Sequence, residues 1–227
     1  RGVLLLSVSR FEENDRASPQ LPRGPDMKEY ADLKEEQRRT METPVMRANF
    51  ILRTMYAGVD MVFGKSPSLP KFKVIEILAR YPYWAWEIGS YAAISRAYKA
   101  LRSPGAEQMK TALRHIDMGR EMQDNEQWHL MLIQSIMDQE GIKSDWVRGV
   151  FLPVCMAASY FLITRFMYRL NPASSFAMNA RFESHAEHEY MKLVEAHPEW
   201  EDKPVESWVF AYYPQQPSMA DLFRRIG

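Results

Sequence analysis

The sequence predicts an all-α protein built as a bundle of long helices. Three observations carry this expectation. Fifteen methionines and abundant Ala, Leu, Glu and Arg favour helix. Ten glycines and few β-branched runs argue against a sheet. The breaks are sparse and well spaced: Ser66-Pro67-Ser68-Leu69-Pro70, Ser103-Pro104-Gly105, Gly141, Asn171-Pro172 and Pro198 cut the chain into stretches of helical length.

The elements follow in order. Residues 1–45 are mixed and polar, with Pro19, Pro22, Pro25 and Pro44. They read as an extended arm that wraps a partner or the rest of the chain, with room for a short helix over 30–41. Residues 46–64 set Phe50, Ile51, Tyr56, Val59, Val62 and Phe63 against Arg47, Arg53 and Lys65, the pattern of an amphipathic helix. Long helices are expected over 71–101, 106–139 (capped by Gly141), 144–170 (stopped by Asn171-Pro172) and 174–196. Residues 219–226 read as the opening turns of a fifth long helix with no natural end, and Arg1 as the start of a processed or trimmed chain. The expected organisation is an arm, 1–45, and a helical domain, 46–227, whose last helix is incomplete.

Charge is balanced at 29 basic and 29 acidic residues, so no global field argues for nucleic acid as a partner. Cys155 is the only cysteine, which excludes an intrachain disulfide. Its apolar surroundings predict a buried, inert thiol. Residues 150–168 approach the ~20 residues of a membrane span. Pro153 and Arg165 interrupt them, and Arg148 and Arg169 flank them. Two readings stand: a core helix of a bundle, or a helix lying in one leaflet with its arginines reaching the headgroups.

The chemistry sits in carboxylates placed on otherwise apolar faces. Glu76 lies in Lys73-Val74-Ile75-Glu76-Ile77-Leu78-Ala79, Glu126 and His129 form Glu-x-x-His, and Glu183 lies in Arg181-Phe182-Glu183-Ser184-His185-Ala186. The i, i+3 spacing puts Glu126 and His129 on one face, one turn apart. A lone Glu-x-x-His is weak, because Glu and His are common on solvated faces, and Glu76 alone reads more readily as half-exposed. The order of the residues adds weight. Glu, then Glu-x-x-His, then Glu, on separate bundle helices, is most of the ferritin-like di-iron pattern. Carboxylates suit two hard iron ions, and imidazole fills a terminal position.

Several motifs resemble those of the alternative oxidase and plastid terminal oxidase family. Ile75-Glu76-Ile77-Leu78-Ala79-Arg80-Tyr81-Pro82-Tyr83 resembles the plastid form's first-ligand motif. Asn125-Glu126-Gln127-Trp128-His129-Leu130 resembles the family's Asn-Glu-Arg-Met-His-Leu. Glu183-Ser184-His185-Ala186, with Tyr190 beyond, is similar to the third motif in its plastid form, and residues 53–63 to the amphipathic helix before the first ligand. The resemblance covers residues 46–226.

It implies a ferritin-like di-iron four-helix bundle with two additional membrane-associating helices, bound to one leaflet (monotopic). It implies a quinol oxidase that reduces oxygen to water, with plastoquinol or ubiquinol as substrate. Glu76, Glu126, His129 and Glu183 would hold the irons, with Tyr190 as a redox-active tyrosine and a core aromatic as its plainer reading. A homodimer is implied, in a plastid thylakoid membrane or a mitochondrial inner membrane.

The chain also departs from the family. Lys71 stands where an arginine is usual, keeping the charge and losing the planar fork that could hold a quinol headgroup. Glu189 replaces a Ser or Thr, which alters the quinol pocket or faces solvent. His185 reads as structural and His188 as a surface residue. Residues 218–227 resemble the lead-in to the family's last motif, Asp-Glu-x-x-His, so four of its six ligand positions fall within the chain. The competing reading is an inactive oxidase-like subunit of a larger membrane complex, with a soluble ferritin-like iron protein more distant. Four retained ligand positions weigh against the first, because buried glutamates without a metal are costly.

Overall fold

The structure, a computed structural model, describes residues 33–99 and 105–227, and among these every regular element is helical. The order is α1 (Leu33–Glu42), α2 (Phe50–Phe63), α3 (Leu69–Lys99), α4 (Ala106–Gln139), α5 (Leu152–Leu170), α6 (Pro172–Ala196) and α7 (Met219–Ile226). A π-turn, Val147–Phe151, leads into α5, and two short 3₁₀ turns, Pro198–Trp200 and Trp208–Ala211, lie between α6 and α7. Residues 1–32 of the expected arm lie outside the described residues, as do Ser103 and Pro104 of the expected stop, while Gly105 stands just before α4.

Local chemistry explains the boundaries. The Asn49 side chain accepts the Leu52 amide and opens α2, and Ser218 does the same for Asp221 at α7. At the end of α4, Ile142 N–H donates to the Met137 carbonyl and Gly141 N–H to that of Asp138. That paired closure needs a left-handed residue, and Gly141 supplies it with φ +66°. Four starts differ from expectation: α2 opens at Phe50 rather than 46, α3 at Leu69 rather than 71, and the other two have a chemical cause at a proline. Asn171-Pro172 both stops α5 and opens α6: Asn171 accepts the Ala173 amide, and Pro172 takes the first helical position, where no amide is needed. The 144–170 helix begins with the π-turn because Pro153 has no N–H to return to the Gly149 carbonyl.

α3 is the central helix and lies against α2, α4, α5 and α6. Its buried residues Phe72, Ile75, Leu78 and Ala79 share one core cluster with Leu132, Ile133 and Ile136 of α4 and Tyr160 of α5, while Tyr83 packs in a second with Trp86 and Tyr168. α3 and α4 run antiparallel, and Gly119 of α4 comes so close to the Tyr83 carbonyl that a Cβ there would sit 2.9 Å from it. α1 packs on α6 and α7. The buried Arg224 guanidinium ties it there, donating to Gln37 of α1 at 2.7 Å and pairing with Asp221 and Glu201. The later part of the expected arm is thus a helix seated on the bundle.

Burial corrects two expectations. Cys155 is exposed, because only the stripe Pro153, Ala157, Tyr160, Thr164 and Tyr168 of α5 faces the core. His188 is buried, its ring nitrogens within 2.7 and 2.8 Å of the Ser184 and Thr43 carbonyls, because the segment after α1 covers it. The outer face of the π-turn and α5, with Val147, Phe151, Val154, Leu162, Phe166 and Leu170, is uncovered. Residues Val147–Leu170 are long and apolar enough, by length and composition, to cross a membrane. On α2, Phe50 and Met61 are 81 % and 84 % exposed.

Candidate metal centre

Three of the expected ligands meet between α3 and α4. Glu76 and the Glu126–His129 pair place one candidate ligand atom each within 4.8 Å of one another, and all three residues are buried. His129 turns Nδ1 toward the carboxylates, 3.5 Å from Glu76 Oε2 and 3.7 Å from Glu126 Oε2. Its other nitrogen, Nε2, lies 3.3 Å from the Tyr213 hydroxyl, which fixes the ring from behind. Tyr190 donates to Glu76 Oε1, its ring packed on Phe72 at 4.2 Å.

Glu76 Oε2 is buried without a hydrogen-bond donor. An orphaned carboxylate oxygen beside a second carboxylate and an imidazole is a poor arrangement for a folded core and a good one for a cation. Burial, and then the Glu76 charge, push the Glu126 carboxyl up to about 7. Burial opposes a charge on His129. Tyr213, Glu126 and Glu76 outweigh it and hold the imidazolium well above its ordinary range. The donor set, oxygen plus imidazole nitrogen, suits iron or a similar transition metal.

Glu183 stands beside this trio rather than in it. Its Oε1 accepts from Tyr83 at 2.8 Å and from Asn179 Nδ2 at 3.1 Å. Burial and the Glu126 charge push its carboxyl up to about 8. The structure thus brings three expected ligands together and gives the fourth a separate hydrogen-bonded cradle.

A small pocket lies between α2, α3 and α6. Met55, Tyr56, Asp60, Lys71, Phe182 and His185 line it, along with Ile75, the neighbour of Glu76. His185 stacks on Tyr56 at 4.0 Å between ring centroids. Lys71 is buried and pairs with Asp60 at 2.7 Å. Glu189 does not face solvent: it is buried, and it lies behind Lys71 rather than in the pocket wall.

Sequence reasoning passed over Tyr213, Tyr83 and Asn179. Tyr213 comes from the irregular segment before α7, where no periodicity links it to His129. Asn179 carries a readable signal, since Asn and Glu four apart on a helix are hydrogen-bonding neighbours.

With this geometry stands one comparison: the family model of the alternative oxidase matches residues 26–226. The chain belongs to the alternative oxidase family. No curated protein and no solved structure matches it. Alternative oxidases are membrane-associated, non-haem di-iron oxidoreductases acting on quinol and oxygen. The alternative oxidase centre needs carboxylate and imidazole donors, and the orphaned Glu76 oxygen facing His129 meets that need.

Proposed function

We propose that this chain oxidises a quinol and reduces oxygen to water at two iron ions held by Glu76, Glu126, His129 and Glu183. The observation that carries the reading is the convergence of Glu76, Glu126 and His129 around an unpartnered buried oxygen. Bound iron would supply the redox chemistry. The chain's residues bind, orient and exclude water. Lys71 lies at the polar end of the pocket, suited to an oxygen of the quinol ring, while Phe182, Met55 and the Tyr56–His185 stack take its apolar faces. Ile75 of the pocket lining and Glu76 of the metal centre are consecutive on α3, so the two sites adjoin along that helix. Tyr190 holds its hydroxyl proton on Glu76, the position of a redox-active tyrosine.

The uncovered apolar faces of α2 and α5 support a monotopic placement in one leaflet, from which quinol enters between them. The Glu183-Ser184-His185-Ala186 motif favours the plastid form, hence plastoquinol and a thylakoid membrane over ubiquinol and a mitochondrial one. The protein is read as a homodimer through its bundle.

Oxygen uptake by the iron-loaded, membrane-reconstituted protein tests this reading, with short-chain plastoquinol and ubiquinol analogues compared. Uptake is expected with both, faster with the plastoquinol type, and abolished by Glu126→Ala. Iron-loaded protein without quinol-dependent uptake contradicts the enzyme reading and favours an inactive subunit of a larger complex.

A further inference from the structure

Starting at the pocket wall, four charges alternate: Asp60, Lys71, Glu189 and Lys192. Lys71 Nζ is 2.7 Å from Asp60 Oδ1, donates to the Lys65 carbonyl at 3.3 Å and lies 3.8 Å from Glu189 Oε2. Glu189 takes Lys192 on its other oxygen at 2.8 Å. Lys71 and Glu189 are 4 % and 7 % exposed, so water screens their attraction little. Asp60 and Lys71 line the pocket, and Glu189 does not.

An ammonium group has three N–H donors. Asp60 and the Lys65 carbonyl take two of them. Glu189 attracts the charge from beyond hydrogen-bonding distance, so it pulls on Lys71 without occupying the third donor. The two carboxylates reach Lys71 from different helices, Asp60 from α2 and Glu189 from α6. With Asp60 alone, the flexible lysine stem would settle toward α2 and withdraw that donor. A lysine has no planar fork to hold its own direction, so it depends on its neighbours for one.

We propose that Glu189 is a positioning residue for substrate binding. Its carboxylate holds the Lys71 ammonium between two anions so that one N–H faces the pocket and donates to a ring oxygen of the quinol. This rests on the quinol oxidase reading above and adds which residue sets the affinity of the headgroup.

The test uses the iron-loaded protein in membranes, with KM and kcat measured for a short-chain quinol. Glu189→Gln is expected to raise KM about tenfold, the scale of one charge-assisted hydrogen bond, with kcat and iron content near wild type. Lys71→Met is expected to raise KM at least as much. The double variant should be no worse than Lys71→Met alone, because both changes remove one interaction. If Glu189→Gln folds poorly, Glu189→Asp replaces it: the shorter stem carries the charge away from Lys71, and KM still rises alone. A purely structural role would lower kcat, iron content and thermal midpoint together while leaving KM, and that result overturns the proposal. So does a double variant whose KM effects multiply. Quinone-analogue binding to the wild type separates the two readings. If the wild type neither binds nor oxidises, the quinol reading fails, and this inference with it. If it does both and Glu189→Gln is indistinguishable from it, only the inference fails.

Discussion

Replacing Glu126 with Gln is expected to make the metal-free protein more stable, not less. Burial beside the Glu76 carboxylate pushes the Glu126 carboxyl from its ordinary 4.5 up to about 7. A carboxyl raised in this way favours the folded state while it is protonated. That advantage is complete below about pH 4.5 and is lost as pH rises through 7. At pH 8 the group is ionised in both states. The difference, 7 − 4.5 = 2.5, at about 1.36 kcal/mol per unit then makes the folded state about 3 kcal/mol worse than an unstrained site would be. Gln has nearly the same shape and no charge, so it removes this cost. For a chain of this size, 3 kcal/mol is roughly a 6–12 °C rise in Tm at pH 8. At pH 4 wild type and variant should nearly coincide. Urea or thermal unfolding of metal-free protein at both pH values is the assay. With iron bound the order reverses, because the variant loses a ligand and the wild type gains binding energy. A variant less stable at pH 8, or shifted equally at both pH values, would refute the claim that ionised Glu126 is strained without a metal.

Three further outcomes follow from the same geometry. Tyr213→Phe removes the hydrogen bond behind His129, and iron affinity should fall by roughly 10-fold or more in a competitive titration. Leu162→Glu together with Phe166→Glu alters the uncovered face of α5. Liposome co-sedimentation should drop sharply, while stability in detergent changes by less than about 1 kcal/mol. Gly89→Ala drives a Cβ to within 2.5 and 2.6 Å of Tyr168 ring carbons, and Ser90 and His115 anchor that ring through its hydroxyl. The ring cannot swing away freely, so about 1–3 kcal/mol of stability should be lost in chemical unfolding.

Much of the helical layout was legible because its punctuation is chemical. Both bounds of α4 coincide with expectation, since Gly105 precedes its first turn and Gly141 adopts the positive φ that closes its last. The meeting of Glu126 with His129 followed from i, i+3 spacing alone. That Glu76 reaches them depends on the antiparallel packing of α3 on α4, for which only the ordered motif spoke. Misreadings came where one residue type serves two ends. Pro172 was read as a stop and also starts α6. Exposure was the least legible property. Cys155 and His188 each sit on a helix with apolar residues on several sides, and only the packed partners decide which side is covered. Tyr213 was beyond reach, because an irregular segment carries it to His129.

The central claim is that Glu76, Glu126 and His129 converge because they hold iron. Iron analysis of the purified, ferrous-loaded protein, together with Glu76→Ala and His129→Ala, tests it most directly. The account predicts two irons per wild-type chain and substantial loss of iron in each variant, with helical content unchanged by circular dichroism. Wild-type protein that retains no iron after removal of excess metal, or variants that retain as much as wild type, would contradict it.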